Sequence, residues 1–404
     1  MRPNKVVLMT MRKLLELYRK VCSGLFYVEY DDFDFDRSAE MINERYRPAG
    51  PMCSGIRKGS FSGRNFDGYD GENTVLVMRV GNRCARYSSI SVTTSYLLPS
   101  LLEIMAGQEK DDSYLILPQL AVDGVNEKGV SVTEFMVPNC EASEDRSSWG
   151  GRGWGKSAAY TNRCASRTYN TQLLPRYILD NASNVDEAIG LVRDVNWFDP
   201  DRFTSSGNAG SLKWLLADPR KSAVVECIDN ELKIRVTDEV NSPSPCTLTT
   251  NFSSYLFSKG IIQDGASGYE RYGQMAELYD REEESIDGLK RILKSVSMSE
   301  KYRRDISDRF FFATDYLWSE SPSGRHFTST ELYGGDAKKD PDFIETVKLD
   351  KSRYFDKSLR PEKHGQTVTI YTAVYDMEAM KLSLLCNEGA VDGRWYEFSL
   401  EDKL

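Results

Sequence analysis

Histidine is almost absent from this chain of 404 residues, which contains only His326 and His364. Hydrolases with a Ser–His–Asp or Cys–His arrangement need an imidazole as their general base. His326 lies in a polar run and His364 stands just before a predicted strand, so we interpret both as ordinary surface or loop residues. If the chain performs covalent chemistry, its base is expected to be another group.

Long apolar runs and clusters of basic residues are also missing. No apolar stretch approaches the ~20 residues that cross a bilayer, and the run over 6–9 is too short for the ~7–15-residue core of a signal peptide. The 52 basic and 61 acidic residues give a formal charge of −9. Because nucleic-acid binding needs Lys and Arg gathered on one face, we expect a cytoplasmic protein with no nucleic-acid and no membrane partner.

The eight cysteines form no CxxC pair, and neither histidine lies near another residue that binds zinc. In the cytoplasm such cysteines are expected to be free thiols rather than a disulfide framework. The spacing therefore gives a zinc site little support. We expect no metal and no cofactor.

The order of the predicted elements indicates an α+β fold. Strands joined by hairpin turns come first, helices follow over 166–195 and 269–313, and further strands end the chain. This order favours antiparallel sheets with helices packed outside them. Two apolar stretches, 114–120 and 246–250, are predicted as strands, the second as an extension of the hairpin sheet before it.

Residues 1–52 differ in pattern from the rest and are interpreted as a separate segment. An amphipathic pattern predicts a helix over 11–22, and a second helix is predicted over 38–46 with Ser38 as its N-cap. The segment ends in the rigid junction Arg-Pro-Ala-Gly-Pro at 47–51.

Residues 150–157 (GGRGWGKS) match the nucleotide-binding pattern GxxxxGK[ST], and Asp218 after an apolar run imitates a second nucleotide motif. A P-loop binds phosphate where a buried strand runs directly into a helix N-terminus. Here a polar, acidic stretch precedes the glycines, and Asp218 stands in a predicted hairpin turn. We favour a chance match in a loop, and a P-loop nucleotide hydrolase is kept as an alternative.

Cys53 follows the junction and begins the folded pattern. A free cysteine is most often a buried structural residue, but Arg64 and Asp67 offer the positive charge and the acceptor that a thiolate and an amine need nearby. A cysteine made N-terminal by cleavage brings its own base, because a free α-amino group has a pKa of ~7.7–8.0 and lies close to its own sulfur. Such an enzyme needs no histidine.

Five features between Cys53 and about Asn387 resemble, in order, the choloylglycine hydrolase family of N-terminal-nucleophile (Ntn) amidases. That family includes bile salt hydrolases and penicillin V acylases and has acid ceramidase-like relatives. The features are Cys53 with GRNFD at 63–67, DGVNEKGV at 123–130, WLLAD at 214–218 leading to VVE at 224–226, TNF at 250–252 and GYERY at 268–272. The resemblance implies a four-layer αββα sandwich of two antiparallel sheets between helices.

The resemblance also implies roles for five residues. Cys53 would be the nucleophile and its freed α-amine the proton shuttle. Arg64 would stabilise the thiolate, and Asp67 would accept a hydrogen bond from the amine. Asn251 would donate to the oxyanion, a contact worth ~10²–10³ in rate elsewhere, and Arg271 would complete the polar site.

The sequence departs from bile salt hydrolases at three places. Their second oxyanion residue, an asparagine, corresponds by register to Met136, which offers only its backbone N–H. The segment between Asn251 and Arg271 is much shorter than the assembly hairpin of those tetramers, so a homo-oligomer is left open. Finally, 52 residues precede Cys53.

Those 52 residues have two explanations. They are a propeptide that leaves when Cys53 attacks the carbonyl of Met52, or Met52 is the true first residue. We favour the propeptide, with residues 53–404 as the Ntn domain. The predicted activity is hydrolysis of a linear, non-peptide amide of a small N-acyl substrate through an acyl-thioester. Residue types alone do not choose among bile conjugates, penicillin V, N-acyl amino acids, N-acyl homoserine lactones and N-acyl amines. A catalytically inactive scaffold of this fold is the remaining alternative.

Overall fold

The structure, a computed structural model, describes residues 19–22, 25–30, 33–45, 52–69, 74–94, 113–138, 157–199, 210–228, 231–238, 241–261, 268–298, 367–386 and 393–401. The strands in these residues are β1 (Arg19–Cys22), β2 (Leu25–Tyr30), β3 (Met52–Lys58), β4 (Phe61–Tyr69), β5 (Val75–Val80), β6 (Ser89–Thr94), β7 (Asp123–Asn126), β8 (Ser131–Pro138), β9 (Ser157–Tyr160), β10 (Thr168–Asn170), β11 (Asn196–Asp199), β12 (Gly210–Ala217), β13 (Ser222–Ile228), β14 (Glu231–Thr237), β15 (Leu248–Thr249), β16 (Thr367–Asp376), β17 (Lys381–Cys386) and β18 (Trp395–Ser399).

The helices are α1 (Phe35–Arg45), α2 (Leu174–Asn181), α3 (Val185–Arg193), α4 (Ser254–Phe257), α5 (Tyr269–Tyr279) and α6 (Ile286–Ser295). Helix α3 begins at the cap that the sequence predicts, since the Asn184 side chain accepts from the backbone N–H of Glu187. Ser285 caps α6 in the same way. None of the helices among the described residues is long and apolar enough to cross a membrane.

Two large sheets form the body of the fold. The nine-stranded sheet has the order β1-β2-β5-β6-β7-β8-β12-β13-β14, and the six-stranded sheet the order β15-β3-β4-β16-β17-β18. Most neighbours are antiparallel, whereas β2 pairs with β5 in parallel. A small third sheet has the order β10-β11-β9. The α+β class predicted from the sequence is confirmed.

Three hydrophobic clusters hold these elements together. One joins α2 and α3 to the nine-stranded sheet through residues such as Leu174 and Trp214. A second lies between strands of the two large sheets and contains Cys53, Phe66 and Phe135. The third joins α5 and α6 to the six-stranded sheet.

Within residues 1–52, the structure corrects two predictions. The predicted helix over 11–22 is wrong for its described end, because Arg19–Cys22 is strand β1 and pairs with β2. Helix α1 starts earlier than predicted, at Phe35. The side chain of Asp34 caps it by accepting from the N–H of Arg37 at 3.1 Å, while Ser38 lies inside the helix and donates to the Asp34 carbonyl.

Three later elements also differ from their predictions. Ser113–Leu120 is a 3₁₀-helix containing Pro118 rather than a strand. The helix predicted from residue 166 begins only at Leu174, with Pro175 in its first turn, where a missing N–H costs nothing. Strand β15 pairs with β3 in the six-stranded sheet instead of extending the hairpin β12–β13.

Candidate active site

Cys53 is the second residue of β3, opposite Phe66 in the hairpin that β3 forms with β4. The turn contains Gly59 at φ +55°, a conformation that glycine adopts without strain. Gly55 shares a face of β3 with Cys53, and a Cβ there would lie 2.4 Å from Cζ of Phe135. The glycine therefore lets the Phe135 ring close over the hairpin beside the sulfur.

The sulfur of Cys53 is held by Arg64 from the next strand. Nη2 of Arg64 donates to Sγ, and Nη1 donates to the Val122 carbonyl at 3.2 Å and to Oδ2 of Asp123 at 3.4 Å. The guanidinium carbon lies 4.8 Å from the ring centre of Phe66. Arg64 and Asp123 are fully buried, and we call them the sulfur-side pair.

Asp123 is anchored by two tyrosines of β16. The hydroxyls of Tyr371 and Tyr375 donate to its two carboxylate oxygens. Residues four apart on a strand share a face, and the Tyr371 ring also stacks on Phe66 at 5.2 Å. Burial raises the pKa of the Asp123 carboxyl, while Arg64 and the two hydroxyls oppose that rise.

The backbone nitrogen of Cys53 is held by Asn251, which a second ion pair positions. This N–H donates to Oδ1 of Asn251 at 2.7 Å, and Nη2 of Arg271 donates to the same oxygen at 3.0 Å. Nη1 of Arg271 donates to Oδ2 of Asp67 at 2.8 Å, and the Thr369 hydroxyl donates to Oδ1 of Asp67 at 2.6 Å. Arg271 and Asp67 are fully buried, and we call them the nitrogen-side pair.

A bulge in β16 lets one strand serve both pairs. Thr369 stands opposite Asp67 and Tyr371 opposite Phe66, so Ile370 is the extra residue. Asp67 and Phe66 are consecutive and point to opposite faces of β4. The bulge therefore sends Thr369 to the nitrogen-side pair and Tyr371 to the sulfur-side pair.

The amide of Asn251 has a fixed orientation. Its oxygen receives two donors, and its Nδ2 donates to the backbone carbonyl of Met136 at 2.7 Å. Because the N–H and C=O of one strand residue point to the same side, the Met136 N–H also faces the Asn251 side of β8. The Met136 side chain is partly exposed.

The structure thus brings together all five residues to which the resemblance gives a role, with the backbone of Met136 beside them. One contact differs from expectation. Cys53 N, still in peptide linkage to Met52, donates to Asn251 rather than to Asp67, and Asp67 contacts Arg271, which reaches the same Asn251 oxygen. The roles themselves stay predictions.

Burial controls the titration of the nucleophile candidate in this uncut chain. It raises the pKa of the Cys53 thiol to about 12, whereas the nearby charge of Arg64 acts to lower it. The thiol is therefore protonated at neutral pH in spite of its guanidinium neighbour. Attack by this sulfur therefore requires a group that takes up the thiol proton.

Sequence reasoning missed Asp123, Tyr371, Tyr375 and Thr369 as site residues. Asp123 stands in the DGVNEKGV segment, but nothing in that segment shows that its side chain faces Arg64. The two tyrosines share a strand face, which was a usable signal that they contact one partner. That partner, Asp123, lies 248 residues before Tyr371 in the sequence.

Other features noted in the sequence lie either away from this cluster or outside the described residues. Three of these features lie outside the described residues: residues 150–156, which belong to the P-loop-like sequence, His326 and His364. Ser157 begins strand β9, whereas a P-loop leads into a helix. Asp218 caps structural turns by accepting from Val185, Arg220 and Lys221. In the part of the chain that the structure describes, no group of His, Cys, Asp or Glu side chains is arranged to hold a metal ion.

Among the comparisons with known proteins, the comparison with solved structures gives matches. No protein-family profile and no curated protein matches the chain. The solved structures that are similar to it include two enzymes. Penicillin V acylase from Agrobacterium tumefaciens is 13% identical with a TM-score of 0.44, over 86% of this chain and 86% of the acylase. A mutant of conjugated bile acid hydrolase from Clostridium perfringens is 13% identical with a TM-score of 0.41, over 86% of this chain and 92% of the hydrolase.

Proposed function

We propose that the chain is an N-terminal-nucleophile amidase with a four-layer αββα fold. It hydrolyses the linear carbon–nitrogen amide bond of a small N-acyl substrate through a thioester on Cys53. It becomes active when its own Met52–Cys53 bond is cut, which frees the α-amine of Cys53.

One observation carries this proposal: Arg64 of one buried arginine–aspartate pair donates to the sulfur of Cys53, and Arg271 of a second such pair positions Asn251, which accepts from the backbone N–H of the same cysteine. A structural cysteine in a core needs neither pair. Burying four charges is costly unless each has well-placed partners. A nucleophile that is also the base needs defined partners on both atoms.

The proposed cut is an acyl shift from the nitrogen of Cys53 to its sulfur, followed by hydrolysis. The thiol adds to the carbonyl carbon of Met52, and the C–N bond breaks as the nitrogen takes the thiol proton. This gives a thioester and a free amine. Water then hydrolyses the thioester, leaving a carboxylate on Met52 and a free thiol on Cys53.

The same residues then act on a substrate amide. The freed amine of Cys53 removes the thiol proton, the sulfur attacks the acyl carbon, and the leaving amine takes that proton. Asn251 Nδ2, with the Met136 N–H beside it, provides donors for the oxyanion if the bond to the Met136 carbonyl opens. Arg64 stabilises the thiolate, and Arg271 with Asp67 fixes Asn251.

Cys53→Ala tests the proposal directly. The variant is expected to keep the full-length mass and to lose all hydrolysis of a panel of N-acyl amides, because both steps need the sulfur. Cys246→Ala is the matched control, since Cys246 is also buried and burial also raises its pKa; it should be cut and active. Intact mass and amine release are the measurements.

Two outcomes separate the alternatives. A wild-type chain that is uncut and inactive on every N-acyl amide would indicate an inactive scaffold. Loss of activity in Lys156→Ala would favour the P-loop hydrolase, and our proposal expects that variant to behave as wild type.

A further inference from the structure

The described parts of residues 1–52, namely 19–22, 25–30, 33–45 and 52, are built into the fold, and we infer that the segment 1–52 stays bound as a separate subunit after the Met52–Cys53 bond is cut. The mature protein is then a complex of two polypeptides, 1–52 and 53–404. The inference rests on the proposed self-cleavage, and it differs from the expectation that the segment leaves.

Strand β2 occupies an internal position in the nine-stranded sheet. It pairs in parallel with β5 over six residues, from Leu25 opposite Val75 to Tyr30 opposite Val80. The N–H of Gly81 adds a bond to the Tyr30 carbonyl at 3.0 Å. Without β2, strand β5 would become a sheet edge with free backbone donors and acceptors, which favours aggregation.

Side chains of β2 belong to both hydrophobic cores of this sheet. Leu25 and Tyr27 point to the core between the two large sheets, where the Tyr27 ring stacks on Phe398 at 5.7 Å. Val28 and Tyr30 join the core beneath the helices. Leu25 and Val28 have no exposed surface. Removal of the segment would therefore open two cores at once.

Helix α1 adds polar contacts that also cross the cut. Nε2 of Gln119 donates to the Phe35 carbonyl at 2.9 Å and to Oγ of Ser38 at 2.8 Å. The Tyr169 hydroxyl donates to Oδ1 of Asp36 at 3.1 Å. Each of these partners lies beyond Cys53 in sequence, and hydrolysis of one peptide bond removes none of the contacts.

The cut lies at strand β3 of the six-stranded sheet, whereas β2 belongs to the nine-stranded sheet. Met52 stands opposite Asp67 in the six-stranded sheet, so the new Met52 carboxylate forms at the end of the β3–β4 ladder. The cut removes the covalent link that keeps this chain end in the β3–β4 ladder. The end of the segment then moves away from the Cys53 amine, while β2 and α1 stay in place.

The test uses the full chain with a C-terminal tag, purified without denaturant. Denaturing mass spectrometry should show two polypeptides in equal amounts, one ending at Met52 and one beginning at Cys53. Native mass spectrometry should show one particle whose mass is their sum. A folded, active 53–404 polypeptide without its partner overturns the inference and leaves the proposed amidase intact.

An uncut chain would count against the proposed function and not against this inference. In that case a protease site inserted between residues 46 and 51 supplies the cut. The same native measurement should still give a complex of both pieces, and release of the N-terminal piece overturns the inference.

Two further variants measure the contribution of β2. A chain that begins at Met52 should be lost to aggregates, and co-expression of residues 1–51 as a separate polypeptide should restore the soluble complex. Val28→Asp, which places a charge in the core, should give the same loss, whereas Glu40→Lys on the exposed side of α1 should not. A Met52-initiated chain that is soluble and melts like the full protein overturns the inference.

Discussion

The two buried arginine–aspartate pairs near Cys53 differ in geometry and in how they reach the cysteine: Arg64 donates to the sulfur, whereas Arg271 reaches the nitrogen through Asn251. On the nitrogen side, Arg271 and Asp67 are 2.8 Å apart, and Thr369 completes the carboxylate. On the sulfur side, the Arg64–Asp123 distance is 3.4 Å, and the carboxylate takes two tyrosine hydroxyls. Arg64 also lies over the ring of Phe66.

This difference indicates how charge is divided around the cysteine. The close nitrogen-side pair neutralises itself and presents an oriented amide oxygen, through Asn251, to the nitrogen. On the sulfur side, the tyrosine hydroxyls partly satisfy Asp123, so the positive charge of Arg64 is left more available to Sγ. One pair therefore orients an atom, whereas the other prepares it for ionisation.

Truncation of either arginine gives the largest expected effect and separates the two roles. Arg64→Met and Arg271→Met each leave a buried carboxylate without its cation, so each should lower the free energy of unfolding by about 3–5 kcal/mol in urea titrations. Arg64→Met should raise the pKa of the Cys53 thiol more than Arg271→Met does, because Arg64 donates to Sγ, whereas Arg271 acts on the thiol only through its charge.

The charge-preserving variants Arg64→Lys and Arg271→Lys serve as folded controls. Arg64→Lys should retain part of the thiol ionisation, and Arg271→Lys should slow self-cleavage by misplacing Asn251 without moving the thiol pKa. Equal effects of the two lysine variants on the thiol pKa would contradict the division of roles.

Some of this arrangement could be predicted from the sequence and some could not. Cys53 and Arg64 belong to one hairpin, so their proximity follows from local pattern and turn chemistry. The Thr369–Asp67 contact spans 302 residues and depends on a one-residue bulge, which periodicity does not reveal. The segment Arg19–Cys22 follows a helical pattern but forms a strand, because pairing with β2 outweighs local preference.

Titration of the Cys53 thiol in the uncut chain tests the sulfur side, with an expected effect of intermediate size. Burial raises the Cys53 pKa to about 12, so the neutral thiol predominates in the fold below that pH and ionises only as the pH rises towards it. At pH ~8 iodoacetamide should leave folded Cys53 unmodified and label it in urea. The exposed Cys164 is the control and should react in both conditions.

Digestion with trypsin distinguishes the uncut chains from the cut chains in this measurement. Trypsin releases Cys53 of the uncut chain in peptide 46–57, because Arg47 precedes proline and resists cleavage. This peptide spans the Met52–Cys53 bond, so it comes only from chains in which that bond is intact. Labelling of that peptide in the folded chain at the rate of Cys164 would contradict a buried, protonated thiol.

Removal of single hydroxyl groups is the smallest expected effect and the finest test of the comparison. Tyr375→Phe removes one donor to Asp123, and Thr369→Val removes one donor to Asp67, in each case with little change in volume. A buried carboxylate oxygen that loses a donor should cost about 1–3 kcal/mol of unfolding free energy, so both variants should fold.

The two hydroxyl variants should nevertheless differ in chemistry. Without the Tyr375 hydroxyl, Asp123 turns more of its charge to Arg64, so Arg64 stabilises the thiolate less and the pH needed for Cys53 labelling should rise. Without the Thr369 hydroxyl, Asp67 holds Arg271 more tightly, and that labelling profile should move less, because neither side chain donates to Sγ. Because the two changes are matched in size and burial, a shift of the profile in Thr369→Val and not in Tyr375→Phe would reverse the assignment of the pairs to sulfur and nitrogen.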